Sequence, residues 1–278
     1  MSDFSKSVAA NFMTSIATQA SWSRAWMRGP AVNCVSKKAF RGVNRLTLTL
    51  TAARNGWSGN RWGTDAQWLR RSFAVPRGTP ATRILSMVEA GPEDTVCLQY
   101  GAKRITMVRP HDEYCGIQVG DDDTWTQTAP NLSGVIDLVA GAFGTGIRLS
   151  VPDLGSVKSN EIATGDERYA SHLTRAALRL VIESHLLPLL PEEMTDPDVI
   201  NLAAEIGTAF VLSDFGMVAE RLRDQPTVRR WSAMLIGKPE VIVSAAGLAQ
   251  HAIDRMREAG SMPVQVERQA KERTALAA

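Results

Sequence analysis

Acidic residues are missing from the first part of the chain, where no Asp or Glu occurs between Phe4 and Thr64. Residues 1–90 carry thirteen Lys or Arg against three acids, a net charge of +10. The rest of the chain carries 18 basic and 26 acidic residues, a net charge of −8. The overall net charge of +2 therefore conceals a basic region joined to an acidic body. This asymmetry predicts a surface that binds a polyanion.

Cysteine is also scarce, and long apolar runs are absent. The three cysteines Cys34, Cys97 and Cys115 leave an odd thiol and show no Cys-x-x-Cys spacing, which suits a reducing compartment. No apolar run reaches the length of a membrane span, and no signal-type apolar segment follows Met1. We expect a cytoplasmic protein that has no membrane partner.

Tryptophan and arginine, by contrast, are interleaved in the basic region. Five of the seven tryptophans lie there: Trp22, Trp26, Trp57, Trp62 and Trp68. Between and around them stand Arg24, Arg28, Arg41, Arg45, Arg54, Arg61, Arg70 and Arg71. Because cations bind phosphates and flat rings stack on unpaired bases, this pattern predicts binding of single-stranded nucleic acid. Packing in a hydrophobic core remains the alternative for each ring.

The first half of the chain mixes helix and strand signals. Val8, Phe12 and Ile16 give a helical face to residues 7–20. In residues 44–56 leucines alternate with threonines as in a strand, but Asn44 as N-cap and Asn55-Gly56 as a stop favour a helix. A capping box at Thr64 and Gln67 predicts a second helix. Short β-rich runs, and so a small sheet, are predicted at residues 83–88, 95–100, 104–108 and 116–119.

The last third of the chain is predicted to be helical. Apolar residues recur at helical spacing in residues 169–185, and Asp196-Pro197 begins the next helix. Two further helices are expected at residues 227–237 and 242–256. The fold class predicted is α+β, with one domain at residues 1–128 containing the small sheet and a mostly helical domain at residues 129–278.

The order of residues over some sixty positions resembles the N-terminal domain of ArdC-type antirestriction proteins. The positions that carry the resemblance are Trp22, Trp26, Asn33, Phe40, Arg41, Gly42, Asn44, Gly56, Trp57, Ser58, Arg61, Trp62 and Thr64. A later basic turn of the family is shortened here to residues 75–79. The resemblance implies a domain that binds single-stranded DNA, in a protein of plasmids or phages that shields entering DNA from host restriction.

A second resemblance, in the last third, is to the zincin-like metallopeptidase domain of the same family. There the family has a His-Glu-x-x-His motif on a helix and a later Glu that completes the metal site. The matching positions here are Thr174, Arg175 and Leu178, which have lost the motif, and Glu205, which remains. A catalytic zinc needs three protein ligands, and the Arg175 charge would repel a cation. The resemblance therefore implies a degenerate domain with no catalytic residue, no metal and no cofactor.

The function predicted from the sequence is a non-enzymatic single-stranded DNA-binding protein of a phage or mobile element, which protects DNA from host defence or serves replication. The predicted DNA-binding residues are Trp22, Trp26, Arg41, Asn44, Arg54, Trp57, Arg61, Trp62, Arg70, Arg71 and Arg77. Host defence or replication proteins are further expected partners, and a phage-encoded protein would act in the host cytoplasm. Two alternatives remain: a metal-dependent peptidase with a rearranged ligand set, and a protein-interaction module built on the zincin-like remnant. The sequence gives no indication of an oligomeric state.

Overall fold

A computed structural model describes residues 2–27, 29–89, 106–121, 129–143 and 162–261. The helices are α1 (Ser2–Ile16), α2 (Gln19–Trp26), α3 (Gly42–Arg54), α4 (Asp65–Arg70), α5 (Leu132–Phe143), α6 (Ile162–Val181), α7 (Pro197–Asp214), α8 (Gln225–Gly237) and α9 (Val241–Ser261). The strands are β1 (Val32–Asn33), β2 (Arg61–Gly63), β3 (Thr82–Glu89) and β4 (Thr106–Cys115). The predicted α+β class is confirmed. Among the described helices, none is both long and apolar enough to cross a membrane.

The small predicted sheet is present, and its strands are ordered β1-β2-β4-β3. β1 pairs with β2 in parallel, while β4 is antiparallel to both of its neighbours, with Trp62 opposite Cys115 and Thr82 opposite Glu113. The prediction of a strand at residues 116–119 is wrong, because Gly116–Val119 forms a 3-10 helix. Its short turn closes on Gly120, whose φ of 79° suits glycine. The predicted run at residues 95–100 lies outside the described residues.

Helix α3 confirms the helical interpretation of the Leu-Thr alternation. Residues two positions apart in sequence, such as Leu46 and Leu48, lie on nearly opposite faces of a helix, and both faces of α3 are covered by protein. Leu46 and Leu50 pack into the large helical core, whereas Leu48 and Ala52 pack into a smaller core beside the sheet. A helix buried on two sides does not need a single apolar stripe, which is why its sequence resembles that of a strand.

The predicted start of α3 is displaced by three residues. The N-cap is Arg41, not Asn44. The Asn44 side chain instead bonds the backbone of β3: its oxygen accepts from the Leu85 N–H at 2.8 Å, and its amide donates to the Leu85 carbonyl. The end at Asn55 and Gly56 is as expected, with Gly56 at φ 69°.

Other local signals are confirmed by the structure. Thr64 and Gln67 form the capping box of α4, and Asp196 caps α7 with Pro197 at its first position. The helices expected from residues 7, 169, 227 and 242 onward are α1, α6, α8 and α9. Within α6, Leu173, Ala177 and Val181 lie on the buried face of the helix.

One hydrophobic core joins residues from both sides of the predicted boundary at residue 128. It includes apolar residues of α1, α2 and α3 together with residues of α5, α6, α7, α8 and α9. At its centre, Trp22 and Trp26 pack edge to face with ring centroids 5.4 Å apart, and Trp26 packs on Phe210 at 5.7 Å. The division into residues 1–128 and 129–278 stays a prediction, and the two parts share this core.

A buried arginine crosses the same contact. Arg45 of α3 is nearly inaccessible to solvent, and its Nη2 donates to Asp214 Oδ1 at 2.8 Å and to the Phe210 carbonyl at 2.8 Å. Its guanidinium carbon also lies 4.7 Å from the centroid of the Phe210 ring. Arg257 of α9 contacts the same carboxylate at 2.7 Å. Asp214 thus neutralises a cation that cannot reach water.

Replacing Arg45 by Met should lower the free energy of unfolding by about 3 kcal/mol, because it removes one partner of a buried ion pair. Urea denaturation followed by circular dichroism measures this change. The control is Arg54→Met on the same helix, where an exposed arginine bonds Asn11 and the cost should stay below about 1 kcal/mol. Equal losses for the two variants would contradict a special role for Arg45.

Candidate nucleic-acid interface

Most of the tryptophans predicted to stack on bases are inaccessible. Trp22 and Trp62 are 0% exposed and Trp26 is 1% exposed, so the prediction that these three rings stack on bases is wrong for this conformation. They are core residues because large apolar rings gain most from burial. Trp68 is also buried, with its indole N–H bonded to the Tyr114 carbonyl at 2.9 Å. Of the five tryptophans, Trp57 alone is partly exposed, and its ring centroid lies 5.9 Å from that of Trp62.

The predicted arginines are dispersed over the protein. Arg41 pairs with Asp254 of α9, and Arg54 donates to Asn11 of α1 at 3.0 Å. The amide of Asn44, as described above, binds β3. These side chains therefore make contacts inside the fold. Arg70 and Arg77 are exposed, and no partner is found for either within the described part of the chain.

Arg61 and Arg71 are brought together by a carboxylate that sequence reasoning missed. Asp121 lies after the 3-10 helix, is largely buried, and accepts from Arg71 Nη1 at 2.9 Å and from Arg61 Nη1 at 3.5 Å. The Arg71 guanidinium also lies over the Trp68 ring at 5.5 Å and the half-buried Phe73 ring at 5.7 Å. Ring contacts and the carboxylate together hold Arg71 in one orientation.

Lys37 is the third cation at this place. Desolvation and the positive charges of Arg61 and Arg71 lower the pKa of the Lys37 amine below its ordinary value. Cys34 and the Asp121 carboxylate act on the Lys37 amine in the opposite sense. We call Lys37, Arg61, Arg71 and Asp121 the basic corner.

The turn that carries Lys37 is fixed by Asn33. The Asn33 side-chain oxygen accepts from the N–H groups of Val35 at 3.1 Å and Ser36 at 2.9 Å, and its amide donates to Gln67 of the α4 capping box at 2.9 Å. Lys37 adopts φ 60°, which presents its side chain at the tip of the turn. Lys38 follows it and is exposed. The Lys-Lys pair inside an acid-free run was the signal in the sequence that could have identified this turn.

Two buried groups lie next to the corner. Burial raises the pKa of the Cys34 thiol, which the Arg71 charge partly opposes. Burial likewise raises the pKa of the Glu113 carboxyl, while a 3.0 Å contact with His111 Nε2 lowers it in part. Neither side chain reaches the surface, so both belong to the protein interior next to the basic corner.

The positions that the resemblance matches to the family's metal motif make contacts of a different kind. Thr174 and Leu178 are fully buried, and Leu178 packs against Gly207 of α7. Glu205 is 1% exposed, and its Oε2 accepts from Arg175 Nε at 2.6 Å. Its other oxygen accepts from the Leu222 N–H at 2.9 Å. Both carboxylate oxygens therefore have protein donors.

These residues do not fit a divalent cation. At two of the three expected ligand positions, Thr174 supplies only a hydroxyl and Leu178 an aliphatic side chain. The carboxylate at the third position, Glu205, is already bonded to the Arg175 guanidinium. His172, His185 and His251 all reach the surface, and partial desolvation of the His172 ring together with the charges of Arg175 and Arg168 lowers the pKa of His172. Within the described ranges, no group of three His, Cys, Asp or Glu side chains is arranged to hold a metal.

Comparisons with known proteins agree with this architecture. A family described as the N-terminal domain of anti-restriction factor ArdC matches residues 2–109. The fold is similar to a metal-free crystal structure of antirestriction ArdC from plasmid R388, with a TM-score of 0.67 and 21% identity, covering 92% of this chain and 97% of that one. The Mn(II)-bound structure of the same protein gives a TM-score of 0.68 and 22% identity, covering 92% and 98%. No curated protein sequence matches the chain.

The ordered residues from Trp22 to Thr64, the match over residues 2–109 and the fold shared with ArdC all lead to one assignment. Residues 2–109 are therefore assigned to the family of ArdC N-terminal domains, and the fold of the chain is similar to that of ArdC along most of its length.

Proposed function

We propose that this protein binds single-stranded DNA at the basic corner and thereby shields DNA from host defence. The observation that carries the proposal is the pairing of Arg61 and Arg71 with one carboxylate, close enough to Lys37 for all three charges to act on it, which leaves a local charge of about +2. The corner lies mainly within the domain that matches the family of ArdC N-terminal domains.

The electrostatics of the corner suit a phosphate chain. Asp121 holds Arg61 and Arg71 in place but neutralises only one of the three positive charges. Arg71 already stacks on two rings, which reduces the freedom that it would lose on binding a phosphate. Exposed Lys38 adds another cation on the same turn, and each contact to phosphate releases counterions.

The half-exposed rings favour single strands over duplex DNA. Trp57 and Phe73 keep part of their surface accessible beside the cores that they cover. An unpaired base can stack on such a ring, whereas a base inside a duplex cannot reach it. Turns and short strands, which form the corner, are better suited to following a flexible backbone than to filling a major groove.

The protein acts without catalysis in this proposal. The peptidase alternative needs ligands that Thr174 and Leu178 do not supply, and Glu205 is already paired with Arg175. Protection of DNA then follows from occupying the strand. The third possibility, a protein-interaction module, would leave the basic corner without a role and is separated by the binding measurements below.

Replacing both Lys37 and Lys38 by Gln should weaken binding to a single-stranded oligonucleotide. It should also flatten the dependence of log K on log salt by about 0.7 for each phosphate that the variant no longer neutralises. Fluorescence anisotropy at two salt concentrations, with a duplex of equal length in parallel, measures both effects. The matched control is Arg229→Gln with Lys238→Gln, which removes the same charge from exposed sites on and after α8.

The wild-type protein should bind the single strand more tightly than the duplex. If the control weakens binding as much as the Lys37 and Lys38 variant does, the effect reflects net charge and not the corner. Equal or tighter binding of duplex, or a flat salt response, would refute the proposal. Absence of any DNA binding would favour the interaction module.

Replacing Trp57 by Ala should weaken single-strand binding by roughly 5- to 150-fold, because one stacking contact is worth about 1–3 kcal/mol. The salt slope should stay unchanged, since the net charge is the same. Trp57→Phe keeps a ring and should retain most of the affinity, and thermal melts of both variants show whether the fold is intact. An Ala variant that is folded and binds with normal affinity would remove Trp57 from the interface.

A further inference from the structure

The segment between α7 and α8 is held almost entirely by side chains from other helices. Residues 218–222 form no regular secondary structure, so their backbone groups need partners from elsewhere. We call these five residues the strap. Side chains of α2, α6 and α7 supply the partners, and the strap thereby contacts both halves of the chain.

Helix α6 provides three of these contacts from positions one turn apart. They are Glu167 Oε1 accepting from Val218 N–H at 3.2 Å, Ser171 Oγ accepting from Glu220 N–H at 2.8 Å, and Arg175 Nη2 donating to the Glu220 carbonyl at 2.7 Å. The spacing of four residues places all three side chains on the face of α6 that the strap covers.

Helices α7 and α2 complete the set. Glu205 of α7 accepts from the Leu222 N–H at 2.9 Å. Gln19 of α2 accepts from the Arg221 N–H at 2.9 Å and donates to the Ala219 carbonyl at 3.4 Å. In this way each residue of the strap has at least one backbone group bonded to a side chain.

Arg175 and Glu205 lie at the centre of this arrangement and bond each other as well as the strap. Their side chains are 14% and 1% exposed, so the pair is largely removed from solvent. A carboxylate buried to this degree requires a compensating charge, and Arg175 supplies it in a fixed geometry. The pair therefore connects α6, α7 and the strap at one point.

We propose that the Arg175–Glu205 ion pair is a metal-free cross-link, which joins α6 to α7 and docks the strap where the related sequence pattern would hold a metal ion. A metal ion bound by ligands at positions 174, 178 and 205 would join the same two helices. Here the guanidinium bridges the Glu205 carboxylate and the Glu220 carbonyl, and Leu178 packs on Gly207 between the helices.

This substitution changes what the fold depends on. A metal cross-link is broken when a chelator removes the ion or when acid protonates its ligands. The cross-link formed by Arg175 needs no bound ion, because the guanidinium itself supplies the positive charge that the carboxylate requires. The same positive charge keeps a divalent cation away from Glu205.

The first test removes the cross-link. Arg175→Met should lower the melting temperature by roughly 6–15 °C, because it leaves Glu205 buried without its partner. The amide protons of Glu220 and Leu222 should exchange with solvent at least tenfold faster. Arg179→Met, one turn further along α6, removes an exposed pair with Glu183 and should change neither quantity.

A double variant, Arg175→Met with Glu205→Leu, separates charge compensation from a general loss of packing. It should recover at least half of the decrease in melting temperature, because no buried charge remains unpaired. The strap amides should still exchange faster than in the wild-type protein, since both anchors are absent. Unchanged exchange at Glu220 and Leu222 in Arg175→Met would overturn the cross-link.

The second test restores the metal ligands. The triple variant Thr174→His, Arg175→Glu, Leu178→His leaves Glu205 in place and should bind one Mn(II) per chain, with a rise in melting temperature on titration. The wild-type protein should bind no stoichiometric Mn(II), and a chelator should leave its melting temperature unchanged. Wild-type binding of Mn(II) with stabilisation, or a folded triple variant that binds none, would overturn the proposal that the Arg175–Glu205 pair stands in the place of a metal ion. The exchange measurement on Arg175→Met decides the cross-link even if the triple variant does not fold.

Discussion

The buried guanidinium of Arg45 has to be neutralised inside the protein, and this requirement joins the two halves of the chain. Its carboxylate partner, Asp214, is 169 residues away in sequence. Arg41 likewise pairs with Asp254, and Arg61 and Arg71 share Asp121. These arginines of the acid-poor first part of the chain thus pair with carboxylates from later parts of the chain. Part of the positive charge of the first ninety residues is therefore neutralised within the molecule, and the rest is available to an external polyanion.

Helix α3 explains how one core serves both halves. Because it is buried on two faces, it contacts the helical core through Leu46 and Leu50 and the sheet through Leu48 and Ala52. Trp22, Trp26 and Trp62 fill the space on either side of it. Aromatic enrichment in this region is mostly a consequence of packing, which limits the rings available for binding bases to those at the edges of the cores.

The basic corner and the Arg175–Glu205 pair neutralise buried charge in different ways. At the basic corner, one carboxylate orients two arginines and leaves excess positive charge at the surface. At the Arg175–Glu205 pair, one arginine neutralises one carboxylate, and no charge is left over within the pair. The first arrangement is suited to an anionic ligand, whereas the second is suited to holding helices and the strap together. Arginine and a carboxylate thus serve different purposes at the two places, because their solvent exposure and the ratio of positive to negative charges differ.

Local signals in the sequence determined most of the secondary structure. The capping box at Thr64, the Asp196-Pro197 start of α7 and the stop at Gly56 depend only on neighbouring residues, so they could be recognised without a structure. The same holds for the basic character of the first ninety residues.

Contacts between distant residues were decided only by the tertiary structure. Residues 116–119, which were predicted to be a strand, form a 3-10 helix instead of extending the sheet. The Gln118 side chain stabilises this turn by bonding the Cys115 N–H and the Pro80 carbonyl. Which tryptophans are buried, which carboxylate gathers Arg61 and Arg71, and that Arg175 pairs with Glu205 all depend on segments brought together by folding. Burial and ion pairing are properties of such neighbours in space, and a residue's own sequence context does not name them.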